Sequence, residues 1–194
     1  MENFFRRKDI RLKGYDYSSE GLYFVTICTR GLENTLSEVV GEDNILPYGI
    51  RLSEVGGIVE ASIARIPEIY PSICVDCYVI MPNHLHMIIG INLQGGRIIS
   101  APTISKVVGY FKQSVSKKCG GSIWQSSFQD RVIRDEAEYE LLRKYIKGNP
   151  TNWKKDRYYN VGADTIRPNP VGEDTEGLKP FTPSPTSTKQ RGSR

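Results

Sequence analysis

Apolar residues along this chain follow two rhythms. LYFVTICT at 22–29 is a short β-branched and aromatic run and predicts a strand. ICVDCYVI (73–80) and HLHMIIGI (84–91) predict two more, joined by the tight connection MPN and therefore antiparallel neighbours. Elsewhere the spacing is helical. Val55, Ile58, Val59, Ile63 and Ile66 predict a helix over 53–66 with Ser53 as its cap, ended by Pro67 and Pro71. Ile104, Val107, Val108, Phe111 and Val115 line one face of a second helix over 103–118, capped by Thr103. A third runs over 136–148: Asp135 caps it, Glu136 and Glu138 suit its N-terminal dipole, and Pro150 stops it.

Two stretches are less regular. Between 31 and 52, the short pieces Val39-Val40 and Ile45-Leu46 lie among turn residues and allow a hairpin, while SIWQSSFQDRVIR is irregular or a short strand. The order β-(β)-α-β-β-α-α predicts an α+β domain, an antiparallel sheet with helices packed on one side. The expected organisation is a basic and aromatic arm over 1–20, one domain over 21–160, and a tail over 161–194. That tail holds five of the eleven prolines and no apolar periodicity, so disorder is expected there.

Composition narrows the class. No stretch approaches the roughly 20 apolar residues of a membrane helix. The opening MENFFRRKDIRLKG lacks the apolar centre of a secretory signal, which predicts a cytoplasmic protein with no membrane partner. The four cysteines are then expected as reduced thiols. Net charge is only +4, but its distribution is uneven: no Asp or Glu occurs from Cys77 to Gln129, whereas Arg97, Lys106, Lys112, Lys117 and Lys118 all fall inside. A basic zone of this kind suits a phosphate backbone, and also fits solvated helix faces.

The chemistry concentrates in two segments. His84 and His86 are the protein's 2 histidines and stand two apart in a predicted strand, so both imidazoles share one face while Leu85 turns to the other. Such a pair can chelate one ion. Cys74 and Cys77 precede it, but an odd separation within a strand sends the two thiols to opposite faces, which argues against a structural zinc site. In YELLRKYIKGNPTNW, Tyr145 and Asn149 lie four apart at a helix end and so on one side of it. A tyrosine hydroxyl, with its free pKa near 10, becomes a usable nucleophile beside a metal-polarised phosphate.

These segments carry a resemblance. MPNHLHMIIG resembles the histidine–hydrophobic–histidine motif of the single-tyrosine HUH endonucleases. IWQSSFQDRVIRDEAEYELLRKYIKGNP resembles the block that carries the family's tyrosine, and RKDIRLKGYDYSSEGLYFVTICT looks like the opening of REP-associated tyrosine transposases. The three segments match in order over most of residues 6–150. The loops at 31–52 and 91–102 and the tail match nothing in that family.

The resemblance implies a ferredoxin-like core and a metal-dependent endonuclease and strand transferase. It would act on single-stranded or hairpin DNA in the nucleoid of a prokaryote, as a monomer rather than a homodimer. Tyr145 aligns with the nucleophile that forms a 5′-phosphotyrosine. His84 and His86 align with the metal-binding pair, Asn149 stands where relatives carry a polar third ligand, and the ion is Mg or Mn. Imidazole ligands favour Mn over Mg. No G-x-x-x-x-G-K-[ST] occurs, in keeping with a reaction that needs no nucleotide cofactor. Two imidazoles and an amide, with no Asp or Glu nearby in sequence, are expected to leave the ion's full charge for the phosphate. Lys106, Lys112, Arg131 and Arg134 are the expected backbone contacts. Arg11, Lys13, Tyr15 and Tyr17 of the arm are expected to read bases beside the hairpin or else to pack on the sheet. The competing readings are a hairpin-binding regulator without turnover and a structural zinc protein.

Overall fold

The structure, a computed structural model, describes residues 16–41, 49–92 and 102–159. Its elements are β1 (Gly21–Cys28), β2 (Ser37–Val40), β3 (Gly49–Leu52), α1 (Glu54–Ala64), the single turn α2 (Ile66–Ile69), β4 (Ile73–Ile80), β5 (His84–Ile91), α3 (Ile104–Lys118), β6 (Gln129–Val132) and α4 (Glu136–Gly148). Short 3-10 turns follow β1 at Arg30–Leu32 and α4 at Trp153–Lys155. The expected arm residues Arg11, Lys13 and Tyr15, the centre of each variable loop and the tail lie outside the described residues. Among the described residues no helix is long and apolar enough to cross a membrane.

Four strands form one antiparallel sheet in the order β4-β5-β1-β6, and β2 and β3 form a separate hairpin. Every residue of β5 is buried, and β1 is buried throughout except for Phe24. Strands that read as near-continuous apolar runs are covered on both faces. On one face Tyr23, Val25, Ile27, Leu85, Met87 and Ile89 pack against Val59 and Ile63 of α1 and Ile104, Val107, Val108, Phe111 and Val115 of α3. This is the α+β sheet with helices packed on it that the sequence predicts. On the other face, Leu22, Cys28 and Ile88 meet Tyr139 and Ile146 of α4 with Trp153 and Tyr158 beyond it.

The helix caps are the expected ones. Ser53, Thr103 and Asp135 each accept a hydrogen bond from the backbone N–H three residues on. Pro67 differs from expectation. It opens α2 instead of ending a helix, because a proline in the first turn lacks only an N–H that has no helical acceptor there. The stretch 129–132 resolves into β6, paired with Tyr23–Thr26 of β1.

The two thiols also differ from expectation. A bulge between Val75 and Cys77 leaves Asp76 without a ladder position, so Cys74 pairs with Gly90 and Cys77 with Ile88. Partners two apart on β5 share a face, so both cysteines stand on one side of β4. They still form no metal group with other ligands among the described residues. Asp76, freed by the bulge, accepts from the Tyr139 hydroxyl at 3.2 Å and faces Arg143 Nε at 3.9 Å, tying α4 to the sheet edge.

Where α1 begins, the backbone is close to its neighbour. The Leu36 carbonyl accepts from the Ser53 N–H at 3.0 Å, and the Leu36 N–H donates to the Pro82 carbonyl at 3.0 Å, just before the histidine strand. A Cβ on Gly56 would lie 2.0 Å from the Leu36 carbonyl oxygen. Gly56→Ala should therefore lower stability by about 1–3 kcal/mol, because backbone and not a movable side chain must give way. A urea denaturation midpoint equal to the wild type's would refute this close approach.

Candidate active site

The site grows from the alternation along β5. His84, His86, Ile88 and Gly90 point away from the α1–α3 core, and the odd-numbered residues point into it. Pairing with β1 sets Cys28 opposite His84 and Thr26 opposite His86. The two rings meet edge to face with centroids 4.5 Å apart, and both residues are buried. Phe24 of β1 stacks on His86 with centroids 5.1 Å apart.

Each imidazole is held by its Nδ1. His84 Nδ1 lies 2.9 Å from Asn83 Oδ1, and His86 Nδ1 lies 2.8 Å from the Thr26 hydroxyl. This leaves the Nε2 atoms on the opposite side of each ring from these bonds. His84 Nε2 is buried with no hydrogen-bond partner. His86 Nε2 lies 3.3 Å from the hydroxyl of Tyr145.

Tyr145 comes from the last two turns of α4 and, at 42% exposure, keeps one side open. Its hydroxyl also lies 3.4 Å from Asp156 Oδ2. Burial pushes that hydroxyl's pKa up to about 12, and the Asp156 charge adds to the shift, while Asn149 and Arg157 oppose it. Asn149 caps α4 in helical conformation, is 2% exposed, and donates from Nδ2 to Asp156 Oδ2 at 3.4 Å. Its Oδ1 is buried without a hydrogen-bond partner. The structure thus brings Tyr145, His84, His86 and Asn149 into one cluster.

Asp156 is the residue that sequence reasoning missed. It follows the 3-10 turn at Trp153–Lys155, and its carboxylate and the two imidazoles offer donor atoms all within 4.8 Å of one another. The expectation of a site free of carboxylates is therefore corrected. The acidic residue is absent from the neighbouring sequence but returns through the fold, 70 residues beyond His86. An orphaned imidazole nitrogen, an orphaned amide oxygen and a carboxylate form a mixed N/O donor set that suits a divalent cation. Arg157 donates to Gln129 Oε1 at 2.7 Å, hydrogen-bonds the Tyr158 hydroxyl, and covers the Tyr158 ring.

The expected DNA contacts are scattered. Lys106 and Lys112 sit on α3, across the sheet from the histidines, and Lys112 Nζ is bound to the Gln125 carbonyl at 2.6 Å. Arg131 is opposite Phe24 on β6 and pairs with Glu138 of α4. The Arg134 N–H is held by the same Glu138 at 2.9 Å. Tyr17 is buried in the α1–α3 core with its ring 6.2 Å from that of Tyr23. Its ring fills space beside β1, the packing alternative of the two expected for the arm.

No family model matches the chain. Over 173 residues it is 32% identical to a protein of Haemophilus influenzae Rd described as uncharacterized, covering 79% of this chain and 93% of that one. The chain belongs to one family with that protein. Among solved structures it is similar to the REP-associated tyrosine transposase bound to a REP hairpin, at 18% identity, with a TM-score of 0.52 over 86% of this chain and 100% of the other. A candidate transposase from Deinococcus radiodurans R1 aligns at 15% identity and a TM-score of 0.43, over 71% of this chain and 95% of that one. The chain has the fold of a REP-associated tyrosine transposase, the family its motifs resemble.

Burial of the histidines has a consequence for stability. Burial first, and the Arg157 charge second, lower the His86 pKa to about 3. His84 is held well below the usual 6.5, by burial and then by the charges of His86 and Arg157. The unfolded chain takes up protons near pH 6.5 that the folded chain refuses. Stability is therefore full above that pH and falls on acidification below it, for His86 down toward 3, with a slope of up to about 1.4 kcal/mol per pH unit for each proton taken up. Urea midpoints of the metal-free protein between pH 7.5 and 5 should fall more steeply than those of a His84→Asn/His86→Asn variant. Parallel profiles would refute the buried neutral pair.

Proposed function

We propose that the protein is a metal-dependent, transposase-like endonuclease and strand transferase that acts on single-stranded DNA at REP-type hairpins through a 5′-phosphotyrosine on Tyr145. The observation that carries this reading is the partly open Tyr145 hydroxyl, 3.3 Å from Nε2 of His86 and beside a second, unpartnered imidazole nitrogen. A side-chain oxygen next to the donor atoms favours a covalent route over direct attack by water. The fold shared with a transposase bound to a REP hairpin supports the substrate class.

In this reaction the Tyr145 oxygen forms a bond to phosphorus as the bond from phosphorus to the 3′ oxygen breaks. The 3′ end leaves as a hydroxyl after taking a proton, and the 5′ end stays on the tyrosine. A second 3′-hydroxyl then reverses the exchange, rejoining strands and freeing Tyr145. The phosphodiester link is conserved, so no nucleotide cofactor is consumed. A divalent ion, Mn or Mg, held by His84, His86 and Asn149 or Asp156, would supply Lewis-acid polarisation of the phosphate.

The chain's own groups do the remainder. Asp156 Oδ2 lies beside the tyrosine proton and holds the hydroxyl in line, while His86 Nε2, which faces the same hydroxyl here, is the nitrogen that would bind the ion. Phe24 covers one face of His86 and keeps water from it. Arg157 sets a positive charge beside the histidine pair and Tyr145, which favours an anionic strand. Arg131 and Arg134 are the proposed strand contacts; Lys106 and Lys112 belong to α3, the helix that packs on the opposite face of the sheet. One chain carries every donor, which suits a monomer.

The test incubates the protein with Mn and a pool of single-stranded hairpin DNAs, seeking an adduct that survives denaturation and mapping it by peptide mass spectrometry. Tyr145→Phe should lose the adduct altogether while keeping salt-sensitive hairpin binding, and His84→Ala should lose metal-dependent cleavage. An adduct persisting in Tyr145→Phe would remove Tyr145 as nucleophile. Hairpin binding with no adduct in the wild type would replace the enzyme by a binding-only regulator.

A further inference from the structure

Asn83 stands in the tight connection between β4 and β5, is 3% exposed, and has every polar atom of its side chain engaged. Its Nδ2 donates to the Leu32 carbonyl at 3.3 Å and to the Tyr158 carbonyl at 3.0 Å. Its Oδ1 lies 2.9 Å from His84 Nδ1. Carbonyl oxygens only accept, so Leu32 and Tyr158 decide which end of the amide faces them, and the amide oxygen is left for the imidazole. That oxygen also only accepts, so His84 Nδ1 must carry the hydrogen. A neutral imidazole carries one N–H, and Nε2 is then a bare lone pair. This is the same nitrogen that is buried without a hydrogen-bond partner.

We propose that Asn83 is a positioning residue that fixes His84 as its Nδ1–H tautomer and aims the Nε2 lone pair into the space shared with His86, Asn149 and Asp156. The tautomer stands on the hydrogen bonds alone; its use for a metal ion rests on the function proposed above. The device is specific to His84. The partner of His86 is the Thr26 hydroxyl, which can donate or accept and so dictates no tautomer. Asn83 also joins three separate segments: the turn after β1 through Leu32, the histidine strand, and the segment carrying Asp156 through Tyr158. Asparagine is suited to this place because it offers two donors and one acceptor in a single short plane. Aspartate retains only the acceptor, and alanine retains neither.

The experiment uses the full chain, metal-free and labelled with nitrogen-15 at histidine, and reads the tautomer from two-bond proton–nitrogen correlations. With 2 histidines, comparison with His86→Gln assigns the signals. In the wild type His84 should show a pyrrole-like Nδ1 and a pyridine-like Nε2; the reverse pattern overturns the proposal. Asn83→Ala should admit the Nε2–H form, whereas Asn83→Asp, whose carboxylate still accepts, should keep the wild-type pattern. An alanine variant that stays wholly Nδ1–H, or an aspartate variant that becomes mixed, overturns it. Should the alanine variant fail to fold, the wild-type and aspartate spectra decide alone. Titration with Mn followed by electron paramagnetic resonance adds a second readout. Asn83→Ala should bind about 10–100-fold more weakly than wild type, and equal affinity overturns the positioning role. A wild type that binds no Mn would instead remove the metal from the proposed function and leave the tautomer assignment standing.

Discussion

The alternation of side chains along β5 is the constraint from which the rest of the molecule follows. Leu85, Met87 and Ile89 must enter the core under α1 and α3, and this obliges His84 and His86 to face the opposite side. Pairing with β1 then supplies Thr26 and Phe24 as neighbours of His86. Neither histidine could be kept in place with the core disordered, because a slip of one residue would exchange the two sets. The apolar core and the polar site are two faces of one register.

What closes the second face is a tense arrangement of charge. Two neutral imidazoles, a carboxylate, a tyrosine and a guanidinium share a volume where each is partly or wholly removed from water. Asp156 opposes ionisation of Tyr145, while Arg157 favours it and disfavours charge on the histidines. Buried unpaired atoms are costly in an ordinary core, and the unpartnered Nε2 of His84 and Oδ1 of Asn149 are the donors that the proposed metal site would use. The rings of Trp153 and Tyr158 pack beside His84, and that of Phe24 stacks on His86.

Much of this was legible in the residues, for physical reasons that also explain the gaps. Period-two alternation sets His84 and His86 on one face, and capping chemistry at Ser53, Thr103 and Asp135 fixes where helices begin. Four-residue spacing puts Tyr145 and Asn149 on one side of α4. Local rules stop where the chain turns back on itself. Asp156 lies in a run of charged and aromatic residues beyond the last helix, and only tertiary packing brings it beside the imidazoles. The bulge at Asp76 changes the parity of β4, which no period count reveals and which puts Cys74 and Cys77 on a common face. Charge density is less informative: Lys106 and Lys112 lie in an acid-free stretch, yet linear proximity to His86 says nothing about which face of the sheet the following helix will cover, and α3 packs on the face opposite the histidines.

The turn segment after α4 has a consequence for how the protein comes into being. Thr26, Asn83 and the histidines are made early, but Tyr145, Asn149 and Asp156 leave the ribosome among the last residues of the domain. Since domains assemble as their sequence emerges, the growing chain can complete its four-stranded sheet and the core under α1 and α3 before Tyr145, Asn149 and Asp156 have been made. The residues of the proposed reaction therefore meet only once the last helix and the turn after it exist, and a chain cut short ahead of them would hold the two histidines without their tyrosine.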